Sequence, residues 1–237
     1  MKFIYLWLPI LLGMVLLVFA YPSGAIATSS YSLPDFQRSA LSRAQIDPCE
    51  NSAATVFASE VTRWQVNSIP TLSEFAASVT NGDAHSIVGV YVCGVLALEI
   101  VQQPVSDPVY VSTEMGTATQ FRLAAIYGTL GLLAHNDRSG LRFFGLRNGQ
   151  EVDVVYGDGT IRRYRVKNIR HFKPINSGDP YSDFIDVDND GAIVTSSQVF
   201  QQIFVGGDQV VFQTCIFADG NPTWGRLFVI ATPVRVD

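Results

Sequence analysis

From Ser86 onward the chain is a succession of short, apolar, β-branched runs, each closed by a Gly, Asp or Asn cluster. Such punctuation with no regular helix alternation restricts this part to several strands joined by turns, hence to a barrel or a sandwich. Ile87 to Ile100 is near-continuously apolar, long enough for one bent strand or two. Pro108 to Ser112 reads as a short strand. Glu151 to Tyr156, Gly157-Asp158-Gly159 and Thr160 to Val166 form the clearest hairpin. Ser196 to Phe204 has helical spacing and leads into a last hairpin, Gln209 to Thr232, with Asp219-Gly220-Asn221-Pro222 as its turn signal.

The front of the chain has a different texture. Lys2 precedes an uncharged apolar run, Phe3 to Ala20, which implies export across a membrane. Its length suits an uncleaved signal anchor, with Tyr5, Trp7 and Tyr21 at the interfaces. Ala25-Ile26-Ala27 offers a small-x-small cleavage site, so a removed signal peptide stays open. The expected division is residues 1–27 for targeting, 28–85 for a helical appendage and 86–237 for the strand-rich body. Within the appendage, Asp47-Pro48 reads as a helix start and Thr71-Leu72-Ser73-Glu74 as a capping box. Asn81-Gly82 supplies the stop.

With 48% hydrophobic residues the chain can bury one sizeable core. A net charge of −5 excludes a nucleic-acid binder built on a basic surplus. The stretch Arg162, Arg163, Arg165, Lys167, Arg170, His171 and Lys173 stands against that balance. It is either a face for anionic wall polymer or lipid headgroups, or simply a solvated hairpin face. Gly-rich phosphate loops, HExxH and CxxC are absent, leaving nucleotide, zinc-protease and redox-pair chemistry without a motif.

Three cysteines in an exported chain allow at most one bridge. A Cys49–Cys93 pair would leave Cys215 free; alternatively Cys93 is a small buried hydrophobe. Cys215 ends one apolar run and Arg226 opens the next, so a hairpin brings thiol and guanidinium together. A fixed positive charge favours the thiolate, the nucleophilic form. His135 follows an apolar run and precedes the polar break Asn136-Asp137-Arg138-Ser139-Gly140, which places it at a strand end, on the rim of the body. A cysteine with a histidine distant in sequence is a layout for thiol acyl transfer.

His135 in LLAHN, Cys215 in VVFQTC and Arg226 in WGRLFVIA, in that order, resemble the sortase family of surface transpeptidases. The passage SGLRFFGLRNGQEVDVVYGDGTIRRYRVKNI fits as well, and the resemblance runs from about Ser86 to Val236. Val211-Phe212 stand where the family has Thr-Leu, and Ala134 where it has glycine before the histidine. The resemblance implies an all-β fold, a closed sortase-like barrel with short helices. It implies a Cys215 nucleophile attacking a C-terminal sorting motif of a secreted protein, with His135 as acid and base and Arg226 holding the carbonyl or oxyanion. Thr214, Trp224 and Asn136 would line the substrate site. The acceptor would be an amine, from a peptidoglycan precursor or a pilin lysine, on the extracytoplasmic side. An exported cysteine peptidase and a non-catalytic surface-binding barrel are the alternatives. No cofactor is required. Asp186-Val187-Asp188-Asn189-Asp190-Gly191 has the opening of a calcium loop, through Asp186, Asp188 and Asp190, although Ser197 replaces the bidentate glutamate. A solvated acidic loop is the plainer reading.

Overall fold

The computed structural model describes residues 69–179 and 181–234. The apolar run Phe3–Ala20, the cleavage site, Asp47-Pro48 and Cys49 lie outside the described residues. No helix among the described residues is long and apolar enough to cross a membrane.

Eight strands close into a barrel. β1 (Ile87–Val92) pairs antiparallel with β2 (Leu96–Gln102). β2 lies parallel to β3 (Thr117–Phe121), which pairs antiparallel with β4 (Thr129–Leu133). β5 (Glu151–Tyr156) and β6 (Ile161–Pro174) form the hairpin expected around Gly157-Asp158-Gly159, and β5 returns to β1. Two short strands, β7 (Phe184–Asp186) and β8 (Ala192–Val194), extend the sheet beyond β6. β9 (Gln209–Ala218) lies parallel to β4 and antiparallel to β10 (Asn221–Pro233). Pairing of β10 with β6 shuts the ring.

The apolar stretch Ile87–Ile100 is therefore two strands, reversed at Gly94, where φ is +68°. Pro108–Ser112 is not a strand but part of the irregular connection from β2 to β3. Gln103 binds this segment internally, its amide donating to the carbonyls of Pro108 and Tyr110, which turns the chain aside. The last hairpin reverses on Asp219-Gly220 alone, with φ of +52° and +74°. Two consecutive left-handed residues match the twist of the flanking strands.

Strand alternation splits the apolar residues into two cores. Leu130, Leu132, Val210, Phe212, Leu227 and Val229 point into the barrel. A 3-10 helix (Ser139–Gly145) plugs one end with Phe143, edge-on to Phe212 at 5.1 Å between ring centroids. The outer faces of β4, β9 and β10 carry Leu133, Val211, Cys215 and Phe228 instead, beneath other elements. Among these is a helix at Ser196–Phe204, held at its start by a Thr195–Gln198 capping box. It buries Val199, Phe200, Ile203 and Phe204 against that wall. The helix at Leu72–Val79 starts on the expected Thr71–Glu74 capping box. It packs Phe75 and Ala76 onto Val88, Tyr91 and Val155, so this part of the expected appendage lies on the barrel itself.

Replacing Phe143 by Ala removes the plug and leaves a hole in the barrel. The expected cost is about 3–5 kcal/mol, read as a lowered urea midpoint with an unchanged slope.

Candidate active site

β9 lies between β4 and β10, and its registers put three side chains level. Cys215 and Arg226 are direct cross-strand partners, so their Cβ atoms stand about 4.5–5.5 Å apart on one face. On the other side Leu133 pairs with Gln213, and the Ala134 amide donates to the Gln213 carbonyl at 3.2 Å. The ladder thus continues past β4, and two residues beyond this pair on each strand come His135 and Cys215. Leu133 and Cys215 belong to the outer core, and the period of two puts His135 on that side as well. Cys215 and Arg226 lie on the outer face of the barrel wall, and His135, two residues past the end of β4 and so at a strand end as expected, follows on the same side.

Each is held from behind. The Arg226 guanidinium donates to the carbonyls of Thr223 and Gly225, at 3.1 and 2.9 Å. Thr223 is fixed in turn by Asn221, whose side-chain oxygen accepts from its amide and its hydroxyl. The Asn136 amide donates to the Pro222 carbonyl at 3.0 Å, tying the histidine's turn to the arginine's hairpin. Asn136 thereby tethers two loops beside the expected site. Gly140 closes the turn after His135. A Cβ there would come within 2.3 Å of the Thr214 hydroxyl and 2.6 Å of the His135 carbonyl oxygen, so only glycine fits.

Thr214 faces the opposite way from Cys215, into the barrel, and is fully buried. Strand alternation removes it from the expected substrate-lining set. Trp224 is half-buried with the Lys173 ammonium over its ring, 4.8 Å from the centroid.

Burial dominates the electrostatics. Cys215 is 1% exposed and Arg226 3%. Desolvation pushes the thiol up to about 12; Arg226 pulls it back and Asp137 adds to the rise. The guanidinium favours the thiolate as expected, but a buried anion loses more hydration than one adjacent cation restores. The imidazole of His135 is held below its usual range by desolvation, against the pull of Asp137 and of its hydrogen bond to the Val111 carbonyl. Burial thus disfavours the charged form of both the thiol and the imidazole. Val111, on the β2–β3 connection, is buried in the same outer core as Cys215.

Among the described residues Cys215 is the free thiol. Cys93 is not free; Cys49, its expected partner, lies outside the described residues.

The acidic loop serves the hairpin β7–β8. The Arg170 guanidinium bonds Asp186 at 2.6 Å, and the His171 ring nitrogen is 3.0 Å from an Asp188 oxygen. With two of its three carboxylates engaged by a cation and an imidazole, the Asp186, Asp188, Asp190 set does not fit a calcium ion. Asp190 sits at the reversal with a φ of +51°. The basic stretch is largely paired too. Arg162 bonds Asp208, Arg163 bonds Asp153 at 2.8 Å, and Arg165 bonds Glu151 at 2.9 Å. That matches the solvated, neutralised face and leaves little charge for an anionic polymer.

A thiol held this high reacts faster as pH rises, because the thiolate fraction grows. Alkylation of Cys215 is expected to accelerate ~tenfold per pH unit between about pH 7 and 10, without a plateau. A plateau below pH 8 would show a thiolate already formed.

No protein-family model matches the chain, and no curated protein is similar to it. Among solved structures it is similar to sortase C-1 from Actinomyces oris, at 16% identity and a TM-score of 0.42, over 73% of this chain and 86% of that one. It is similar to sortase A from Listeria monocytogenes at 12% identity and a TM-score of 0.38, over 65% of this chain and 89% of that one. Sortase C from Clostridium perfringens SM101 matches at 12% identity and a TM-score of 0.39, over 69% of this chain and 83% of that one. These three are sortases, and the likeness is one of barrel fold.

Proposed function

We propose that this chain is a cysteine transpeptidase of the sortase kind, acting outside the cytoplasm on a sorting-motif peptide of a secreted protein. The observation that supports the reading is the cross-strand pairing of Cys215 on β9 with Arg226 on β10, beside the end of β4 that leads into His135.

The Cys215 sulfur attacks the scissile carbonyl while its proton passes to His135. The developing oxyanion is stabilised by Arg226, whose charge is strengthened by its dry surroundings. His135 then protonates the leaving amine, and the C–N bond breaks to leave a thioester on Cys215. An incoming amine, from a peptidoglycan precursor or a pilin lysine, loses its proton to His135 and attacks the thioester. A new amide forms and the thiol is regenerated. Covalent catalysis splits one difficult displacement into two easier ones. Burial favours the amine over water in the second step, since a dry site holds little competing nucleophile. The apolar run Phe3–Ala20 supports delivery to the outer membrane surface, as an anchor or as a removed signal.

The test is mass spectrometry of Cys215 after incubation with sorting-motif peptides, with and without an amine acceptor. The expected result is a thioacyl adduct and an acceptor-dependent ligated product. Cys215→Ala abolishes both. His135→Asn lowers turnover ~10²–10⁴-fold, and Arg226→Lys lowers it ~10²–10³-fold with the fold retained. Peptide release that ignores the acceptor would instead mark a peptidase, and no adduct with any peptide a non-catalytic barrel.

A further inference from the structure

Two residues before Cys215, on the same face of β9, stands Gln213. It is 1% exposed, and neither its side-chain oxygen nor its nitrogen has a hydrogen-bond partner. Its cross-strand neighbours are Leu133 on β4 and Phe228 on β10, and Val211 precedes it on the same face. All three are buried and apolar, so the immediate surroundings give the amide nothing to bond.

Gln209, on the same strand, shows what a structural glutamine looks like here. Its amide donates to the Ile203 carbonyl at 2.9 Å and to the Thr129 hydroxyl at 3.2 Å, joining helix to sheet. Gln213 joins nothing. A buried polar group without a partner destabilises the fold, and an apolar side chain of similar shape removes that cost. A leucine or methionine would suit the folded wall better, so the amide needs a reason outside the fold. Unfilled valences beside a reacting centre are the usual place where stability is given up for binding.

We infer that the Gln213 carboxamide binds a backbone amide of the peptide substrate, next to the scissile bond. This deepens the transpeptidase reading and rests on it. Nε2 donates to a peptide carbonyl and Oε1 accepts from a peptide N–H. A donor and an acceptor side by side in one plane match an amide, whereas a carboxylate or an ammonium would satisfy only one of them. Gln213 is one ladder step from the Cys215–Arg226 pair, which sets the bound amide adjacent to the carbonyl under attack. It is a binding residue and takes no proton.

The experiment compares how fast two thiol reagents label Cys215 in the full chain, followed by mass spectrometry. A tripeptidyl chloromethyl ketone carries backbone amides; methyl methanethiosulfonate carries none. In Gln213→Leu and Gln213→Met, labelling by the peptidyl reagent falls about tenfold, the equivalent of about 1.4 kcal/mol. Labelling by the small reagent stays within about twofold, and Tm is unchanged or higher. N-methylating the reagent's amides slows wild type by a similar factor and leaves Gln213→Leu indifferent. A Tm lowered by several degrees in both variants would make Gln213 a structural amide and overturn the inference. So would equal peptidyl labelling in wild type and variants, or a wild type with no preference for the peptidyl reagent. Thioacyl formation is a separate measurement: wild type that forms an adduct but ignores Gln213→Leu loses only this inference.

Discussion

The parallel pairing of β4 with β9 is the constraint on which the site depends. Within one antiparallel hairpin Cys215 stands opposite Arg226 because the register shifts between Asn221 and Gly225; the two-residue turn alone would put Trp224 there. Bringing a histidine alongside requires a strand from a distant part of the chain, laid in the same direction and in one register. A slip of a single residue would turn His135 into the barrel and Ala134 out to the thiol. The packing of Leu130 and Leu132 inward and Leu133 outward opposes that slip, since each faces its own apolar core. Asn136 and Gly140 then hold the turn beyond the strand, one by a bond to Pro222 and the other by lacking a side chain.

Burial and charge compete at the centre, and burial wins. An adjacent cation ordinarily lowers a thiol's pKa, yet the water excluded around Cys215 costs the anion more than Arg226 returns. The same dryness depresses the basicity of His135 and stresses the charge of Arg226. The site is therefore quiet while empty. On the transpeptidase proposal, a substrate's polar groups would replace the missing solvent where charge develops.

Much of this was legible in the sequence, for reasons that can be named. Turn chemistry marked the hairpins at Gly157-Asp158-Gly159 and Asp219-Gly220, a capping box marked the helix at Leu72–Val79, and apolar spacing marked the one at Ser196–Phe204. The order of histidine, cysteine and arginine carried the resemblance that implied a closed barrel. Other features were not read. Which elements cover the face that Cys215 and Arg226 share cannot be told from pattern alone. Thr214 was misjudged by adjacency to Cys215, although the strand period of two already sends neighbours to opposite faces. Gln213 carried no signal, because a glutamine in an apolar strand becomes notable only when its partners can be counted. The acidic loop looked like a cation site until Arg170 and His171, on a neighbouring strand, were seen to claim it.

β10 has a double duty: it donates the guanidinium and, by pairing with β6, completes the ring. It is also the last described strand. Synthesis that starts at the other end therefore delivers the nucleophile and the base before the cation and the seam. Until β10 is laid down, the sheet is open between β9 and β6 and Cys215 has no guanidinium across from it.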